Sequence, residues 1–183
     1  MDHCEKLTYD ELLDLLICLS EYPPCDSYAS HNFHDIWSCL DDICCWKVHQ
    51  WNLDQVLTIA DAWFMLNLSR YSDFIFDMLD KFTRKADSMS KDQLVHIFFL
   101  FNVCRNRPVD FAYEAALQNK IYEISIDEMA VIALGYFKTK SKIKVSSISE
   151  AMIKEVTKCS KSIHEISLTA IMKVTNIVRV LIL

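Results

Sequence analysis

The sequence of 183 residues is poor in the residues that build ligand-binding turns, with one glycine and three prolines. Loops that cradle phosphate groups need several glycines, because side chains block the required backbone conformations and the close approach of the ligand. A single glycine, Gly135, therefore excludes dinucleotide-binding and P-loop motifs. No nucleophile, base and oxyanion donors can be grouped from the other residues, so we expect no catalytic residues and no cofactor.

A disulfide framework and a metal site are not indicated either. Eight cysteines are present, but no two are spaced as CxxC, and most lie in apolar helical segments. We interpret them as small buried hydrophobic residues of a reducing compartment. His31 and His34 lie near Cys25 and Cys39 in the sequence. A zinc site needs four convergent ligands, so we expect no bound metal.

Long hydrophobic runs and targeting segments are absent from the sequence. The longest uncharged apolar run that we find, 129–137, has nine residues, whereas about 20 are needed to cross a bilayer. Residues 1–5 are acidic and have no apolar region, so neither a secretory signal nor a transit peptide is visible. We therefore expect no membrane partner.

One helix-start signature is present four times. In this capping box, the N-cap side chain and the side chain three residues later satisfy each other's backbone N–H groups, and apolar residues on both sides form a staple. The boxes lie at 8–11, 52–55, 90–93 and 125–128, and a degraded copy at 166–171 has Ala170 in place of the acceptor. The staple residues 7, 51, 89, 124 and 166 are separated by 44, 38, 35 and 42 residues. Such a period predicts a helical repeat array.

Each repeat is expected to contain a helix A, which begins at the capping box, and a helix B after a short turn. Helices A are predicted over 8–20, 52–67, 90–104, 125–139 and from 167 onward, and helices B over 31–48, 70–85, 109–122 and 147–161. No segment alternates with period two. The sequence therefore predicts an all-α fold of stacked helix pairs, an α-solenoid of about four and a half units, in a single domain over 1–183.

The apolar pattern indicates which helices lie inside. Residues 97–101 and 129–137 are apolar on all sides, which a helix tolerates only when it has several neighbours. Both segments belong to helices A, so helices A are predicted to form the inner layer. Gly135 lies in the second segment and costs about 1 kcal/mol relative to alanine in a helix. We expect a neighbouring helix to approach it closely.

The formal net charge of −6 conceals a division of charge along the chain. Residues 1–80 carry 3 Lys/Arg against 15 Asp/Glu, and residues 81–183 carry 16 against 10. Only the second half favours a polyanion. Among the acidic residues, Asp41, Asp42, Asp73 and Asp77 are expected to be exposed.

Seven lysines within 24 residues form a candidate phosphate-binding patch, and two arginines lie near a turn upstream of it. An aromatic residue in the preceding helix A is a stacking candidate if it is exposed. The alternative is that these cations interact favourably with the helix dipole and keep the protein soluble, and that the aromatic residue lies in the core. The candidate RNA-binding residues are Lys138, Lys140, Lys142, Lys144, Lys154, Lys158, Lys161, Arg105, Arg107 and Tyr136.

Over residues 51–144 the sequence resembles the FAST kinase domain-containing family. The resemblance is carried by LDQVLTIADAW at 53–63, SRYS at 69–72 and VIALGYFKTK at 131–140. Such proteins act in mitochondrial RNA metabolism, where they bind and stabilise or process transcripts through helical repeats. The resemblance therefore implies RNA as the partner and a mitochondrial location. Kinase chemistry is not implied, because the HRD and DFG triplets are absent.

In this family the helical region is followed by further domains, including a nuclease-like RAP domain. We therefore expect this chain to be part of a longer protein, with an exposed apolar end at 166–183. Two functions follow from the sequence. The first is a non-catalytic RNA-binding module of a mitochondrial RNA-metabolism regulator. The second is a protein-interaction scaffold that binds a partner at its acidic amino-terminal half or at its carboxy-terminal end.

Overall fold

A computed structural model describes residues 4–21, 31–69, 72–104 and 107–158. These ranges contain α-helices and short 3-10 helices, and no β-strand occurs within them. The α-helices are α1 (Tyr9–Glu21), α2 (His31–Lys47), α3 (Leu53–Met65), α4 (Asp73–Lys81), α5 (Lys91–Val103), α6 (Phe111–Gln118), α7 (Ile126–Lys138) and α8 (Ser146–Lys158). The all-α prediction is confirmed for this part of the chain.

The helices alternate as predicted, with α1, α3, α5 and α7 as helices A and α2, α4, α6 and α8 as helices B. Helices A agree with the prediction within two residues at each end. Two helices B are shorter than predicted, because 3-10 helices at Phe82–Ser88 and Ile121–Glu123 replace their last turns. The predicted fifth helix A lies outside the described residues.

The four capping boxes are present. At the start of α3, the Asn52 side chain accepts a hydrogen bond from the Gln55 backbone N–H at 2.9 Å, and Gln55 accepts one from the Asn52 N–H at 3.0 Å. The same reciprocal bonds begin α1, α5 and α7. The preceding apolar residues Trp51, Met89 and Ile124 are buried. The start of each helix A is thus stabilised by residues next to it in the sequence.

The chain divides into two compact units, residues 1–80 and 81–183. We call them the acidic unit and the basic unit, because this boundary separates the 3 Lys/Arg and 15 Asp/Glu of the first half from the 16 and 10 of the second. The single domain predicted over 1–183 stays a prediction. None of the helices in the ranges that the structure describes is long and apolar enough to cross a bilayer.

In the acidic unit, α1 packs against α3. The Tyr9 hydroxyl donates a hydrogen bond to the Gln55 carbonyl oxygen at 3.2 Å, and the Tyr9 ring contacts the Trp51 ring with 5.6 Å between centroids. On the other side, Trp37 of α2 contacts Trp63 of α3 at 5.8 Å. Because α3 packs against α1 on one side and against α2 on the other, its apolar residues on both sides are buried.

In the basic unit, α5 packs against α7, whereas α6 packs against α8 and the 3-10 helix Phe82–Ser88. A Cβ atom on Gly135 would lie 2.7 Å from the Phe98 carbonyl oxygen, so only glycine permits the observed distance between α5 and α7. The close approach predicted at Gly135 is confirmed. The apolar run 129–137 is buried or half-buried throughout, whereas α1 buries only Leu12 and Leu16, so an inner layer formed by all helices A stays a prediction.

Equivalent contacts join consecutive helices A within each unit. The first residue of α1, Tyr9, contacts Gln55 in the first turn of α3. The first residue of α5, Lys91, forms an ion pair with Glu128 in the first turn of α7. Gln55 and Glu128 are also the third helical residues of their capping boxes. The two pairs of helices A therefore meet through the same positions of the repeat.

A buried carboxylate on one helix B also accepts backbone N–H groups at or just before the start of the next helix B in each unit. Asp41 of α2 accepts hydrogen bonds from the Ser72 hydroxyl at 2.6 Å and from the Asp73 N–H at 2.7 Å, at the start of α4. Burial raises the pKa of Asp41, and these bonds act in the opposite direction. The expected exposure of Asp41 is therefore wrong, whereas Asp42 and Asp77 are exposed as expected. Asp41 lies inside because it accepts N–H groups at the start of α4 in addition to the Ser72 hydroxyl, which accepts the Ile75 N–H at 3.2 Å.

Candidate nucleic-acid interface

The predicted lysine patch begins where α7 ends. The Ser141 N–H donates to the Tyr136 carbonyl oxygen at 3.0 Å, and the Lys140 N–H donates to the Phe137 carbonyl oxygen at 3.2 Å. These two bonds form a Schellman turn, which places Lys140 in the left-handed region at a φ of 56°. Glycine is the usual residue there, since a side chain costs about 1 to 2 kcal/mol.

Burial alternates along the segment that follows. Lys140, Lys142 and Lys144 are exposed, whereas the residues between them are half-buried. Lys138, the last residue of α7, is half-buried as well. We call residues 138–144 the lysine segment. Three of its four ammonium groups thus face solvent from one short stretch of backbone, which suits contact with successive phosphates.

The backbone of the lysine segment is tied to α6. Glu114, which is 1% exposed, accepts hydrogen bonds from the backbone N–H groups of Lys144 and of Val145, the latter at 2.6 Å. The Val109 N–H donates to the Ser141 hydroxyl at 2.8 Å. The Glu114 carboxylate therefore accepts the two backbone N–H groups that directly precede α8, inside the protein. The lysine side chains can contact solvent or a ligand, and their backbone is already ordered before a ligand binds.

Tyr136 is not available to stack on a base. Its side chain is 1% exposed, and its ring lies 5.2 Å from the Phe98 ring between α7 and α5. Burial and the negative charge of Glu114 raise the pKa of Tyr136. The stacking role considered for Tyr136 is thus wrong, because Gly135 draws α5 so close that the neighbouring ring is enclosed. The alternative, a core position, is confirmed.

The other basic candidates are placed less completely. Lys154 is exposed on α8, and Arg107 is half-buried just before α6. Lys158 ends α8, but its side chain, Lys161 and Arg105 lie outside the described residues. The structure thus brings Lys140, Lys142 and Lys144 together and leaves the RNA contact of the whole set a prediction.

Phe111 was missed by the sequence reasoning. It is the first residue of α6, it is 51% exposed, and the Lys144 ammonium lies 5.7 Å from its ring centroid. That distance is within the range of a cation–π interaction. One sequence signal was available, because Phe111 falls outside the buried stripe of α6 formed by Tyr113, Ala116 and Leu117.

The cysteines show no reactive or metal-binding arrangement in the described ranges. Burial raises the pKa of Cys44, Cys45 and Cys104 to about 12, so these thiols stay protonated at neutral pH. Cys44 and Cys104 are buried as expected, but Cys18 is exposed, which contradicts its interpretation as a core residue. Within the part of the chain that the structure covers, no group of His, Cys, Asp and Glu side chains is arranged to hold a metal ion.

Comparison with curated proteins finds relatives named FAST kinase domain-containing protein 5, mitochondrial. The Mus musculus protein is 28% identical over 116 residues, which are 61% of this chain and 14% of the relative. The Macaca fascicularis protein is 25% identical over 156 residues, or 83% of this chain and 19% of the relative. The Homo sapiens protein is 25% identical over 143 residues, or 76% and 18%.

These matches confirm the resemblance to the FAST kinase domain-containing family, at modest identity. The chain spans less than a fifth of the length of these relatives, since the matched shares are 14% to 19%. No protein-family model matches the chain. No solved structure matches it.

Proposed function

We propose that this chain, a relative of the FAST kinase domain-containing proteins, is a non-catalytic RNA-binding helical module of a mitochondrial protein. The observation that carries the proposal is the exposure of Lys140, Lys142 and Lys144 from one anchored segment. We name RNA as the polyanion because of the family resemblance. We name a mitochondrial location because the relatives are called mitochondrial. RNA processing and mRNA stability are the roles implied for the longer protein.

We further propose that the helix pairs stack as an α-solenoid. Support comes from the capping box shared by α1, α3, α5 and α7. It also comes from the equivalent first-turn contacts at Tyr9 and at Lys91. An array of this type presents an extended outer surface in place of an enclosed pocket. A polymer tracking the ends of successive helices A would meet the lysine segment on that surface.

The salt dependence of RNA binding tests the proposal. The affinity of the full chain for a fluorescent single-stranded RNA is measured by anisotropy at several salt concentrations. Each neutralised phosphate of a single strand contributes about 0.7 to the slope of log affinity against log salt. Replacing the four lysines of the lysine segment with glutamine should therefore flatten the slope by about 2 to 3 units.

Two control variants define where the charge acts. Replacing Arg84, Lys85 and Lys120 with glutamine removes cations from other elements of the basic unit and should change the slope by less than the lysine-segment variant. Replacing Asp42 and Asp77 with asparagine should leave affinity unchanged or raise it, because carboxylates repel phosphate. Equal losses from all three variants, or no affinity of the wild-type chain at low salt, would overturn the proposal.

A protein-interaction scaffold is the second candidate. The observation in its favour is that Trp46 and Ile36 of α2 are 61% and 53% exposed in the acidic unit. Tryptophan is enriched among the residues that dominate the energy of protein interfaces. This function predicts that Trp46→Ala abolishes capture of a partner from a mitochondrial extract while RNA affinity is unchanged. The carboxy-terminal end proposed for docking lies outside the described residues.

A further inference from the structure

The Phe111 ring of the basic unit lies against the lysine segment. Phe111 is 51% exposed, whereas Phe98 and Phe101 of the same unit are at most 1% exposed; Tyr122 is also exposed, at 82%. The Lys144 ammonium lies 5.7 Å from the centroid of the Phe111 ring. A positive charge and a partly exposed aromatic ring are therefore neighbours, which is the combination that proteins use to hold a nucleotide without reading its sequence.

Hydrogen bonds on both sides of Phe111 fix this arrangement. Two residues before it, the Val109 N–H donates to the Ser141 hydroxyl at 2.8 Å. Three residues after it, the buried Glu114 carboxylate accepts from the Lys144 and Val145 backbone. The ring and the lysine segment are thus joined at two points. Because both are ordered before a ligand arrives, binding costs less conformational entropy.

We propose that Phe111 is a base-stacking platform and that the lysine segment binds single-stranded RNA in preference to duplex RNA. This inference rests on the proposed RNA-binding function and goes beyond it. A base stacks on the Phe111 ring, and adjacent phosphates bind the ammonium groups of Lys142 and Lys144. Any base has a π-face, so stacking tolerates every sequence. The bases of a duplex are paired and already stacked on each other, so they cannot reach the ring.

The exposed neighbour of Phe111 is consistent with this use of the ring. Asp110 is the N-cap residue of α6, and its carboxylate accepts the Ala112 N–H at 2.8 Å. Its negative charge is therefore held at the helix start, where the helix dipole favours it. The phosphates of a bound strand are expected on the side of Lys142 and Lys144, away from this carboxylate.

The test compares two RNA probes on the full chain. The first is a labelled single-stranded oligoribonucleotide of mixed sequence, and the second is a duplex of the same length. Phe111→Ala should weaken binding of the single strand about 5-fold to 150-fold, the loss expected for one stacked base. The salt slope should not change, because no charge is removed. Phe111→Tyr keeps the ring and should keep the affinity.

Two further variants make the outcome decisive. Phe111→Leu preserves apolar volume without a π-face, so it should lose affinity like the alanine variant even if alanine destabilises α6. Trp46→Ala removes an exposed ring from the acidic unit and should leave RNA affinity unchanged. The stacking site alone would be overturned if Phe111→Ala kept the wild-type affinity for single strands. Equal losses of affinity for the single strand and for the duplex would overturn it as well. No RNA affinity of the wild-type chain would overturn the RNA-binding function as well.

Discussion

The acidic and basic units share one internal plan and differ in surface charge. In each unit two helices A pack together, and a first-turn residue of one contacts the first turn of the next. In each unit a buried carboxylate on a helix B accepts backbone N–H groups near the start of the following helix B, Asp41 at its first residue and Glu114 just before it. Yet the acidic unit has 15 Asp/Glu against 3 Lys/Arg, and the basic unit has 10 against 16.

The helical framework and the surface charge are therefore determined by different residues. The contacts that recur are buried or lie in the first turn of a helix, where they satisfy backbone N–H groups. The charges that differ lie outside, where single substitutions change stability by about 0.5 kcal/mol or less. The surface can therefore change sign, and with it the preferred ligand, while the framework stays the same.

The largest expected effect is loss of the buried carboxylates. Asp41→Ala and Glu114→Ala should each destabilise their unit by about 2 to 4 kcal/mol, because two or three buried donors lose a charged acceptor. Urea denaturation measures the loss. Asp42→Ala, on the same helix as Asp41 but exposed, should change stability by about 0.5 kcal/mol or less. A neutral result at either carboxylate would show that the two units are not capped alike.

An intermediate effect is expected where the units differ in packing. Counted from the N-cap, the position of Gly135 in α7 corresponds to Ala62 in α3, which is 2% exposed. Gly135→Leu should destabilise by about 1 to 3 kcal/mol, because its Cβ would meet the Phe98 carbonyl oxygen, which cannot rotate away. Ala62→Gly should also destabilise, by about 1 kcal/mol, from lower helix propensity. A higher melting temperature for Gly135→Leu would mean that the space between α5 and α7 can hold a side chain.

The smallest effect is expected at the ends of α3 and α7. Both helices end in Schellman turns, with Asn67 and Lys140 at φ values of 58° and 56°. Lys140→Gly should stabilise the chain by about 0.5 to 1 kcal/mol, since lysine disfavours this conformation more than asparagine does. It should also reduce the slope of RNA affinity against salt by about 0.7.

Asn67→Gly is the matched variant in the acidic unit. It should be close to neutral for stability, because asparagine tolerates the left-handed region, and it should leave the salt slope unchanged. Thermal denaturation and anisotropy are measured on both variants. A loss of stability for Lys140→Gly would show that the lysine is required by the turn itself.

Local patterns predicted the helices A well, but the helices B less well. The capping boxes identified the starts of α1, α3, α5 and α7, because every partner in a box lies within three residues. The start of α4 was placed at residue 70 and is found at Asp73. Ser72 caps it locally through the Ile75 N–H, but the Asp73 N–H is capped by Asp41, 32 residues earlier, and no local pattern marks such a donor–acceptor pair. The 3-10 helix at Phe82–Ser88 packs against α6, a neighbour that the sequence does not specify either.

The candidate site shows the same limit. The sequence alone determined the starts of helices A, the division of charge, the closeness of a helix to Gly135 and the cluster of lysines, since each depends on nearby residues or on composition. Only the tertiary structure decided that Tyr136 is enclosed and Phe111 is accessible, and that Asp41 and Glu114 are buried. These outcomes depend on which helices meet and how closely. That geometry is fixed by packing between residues about 30 or more positions apart, which no local sequence pattern specifies.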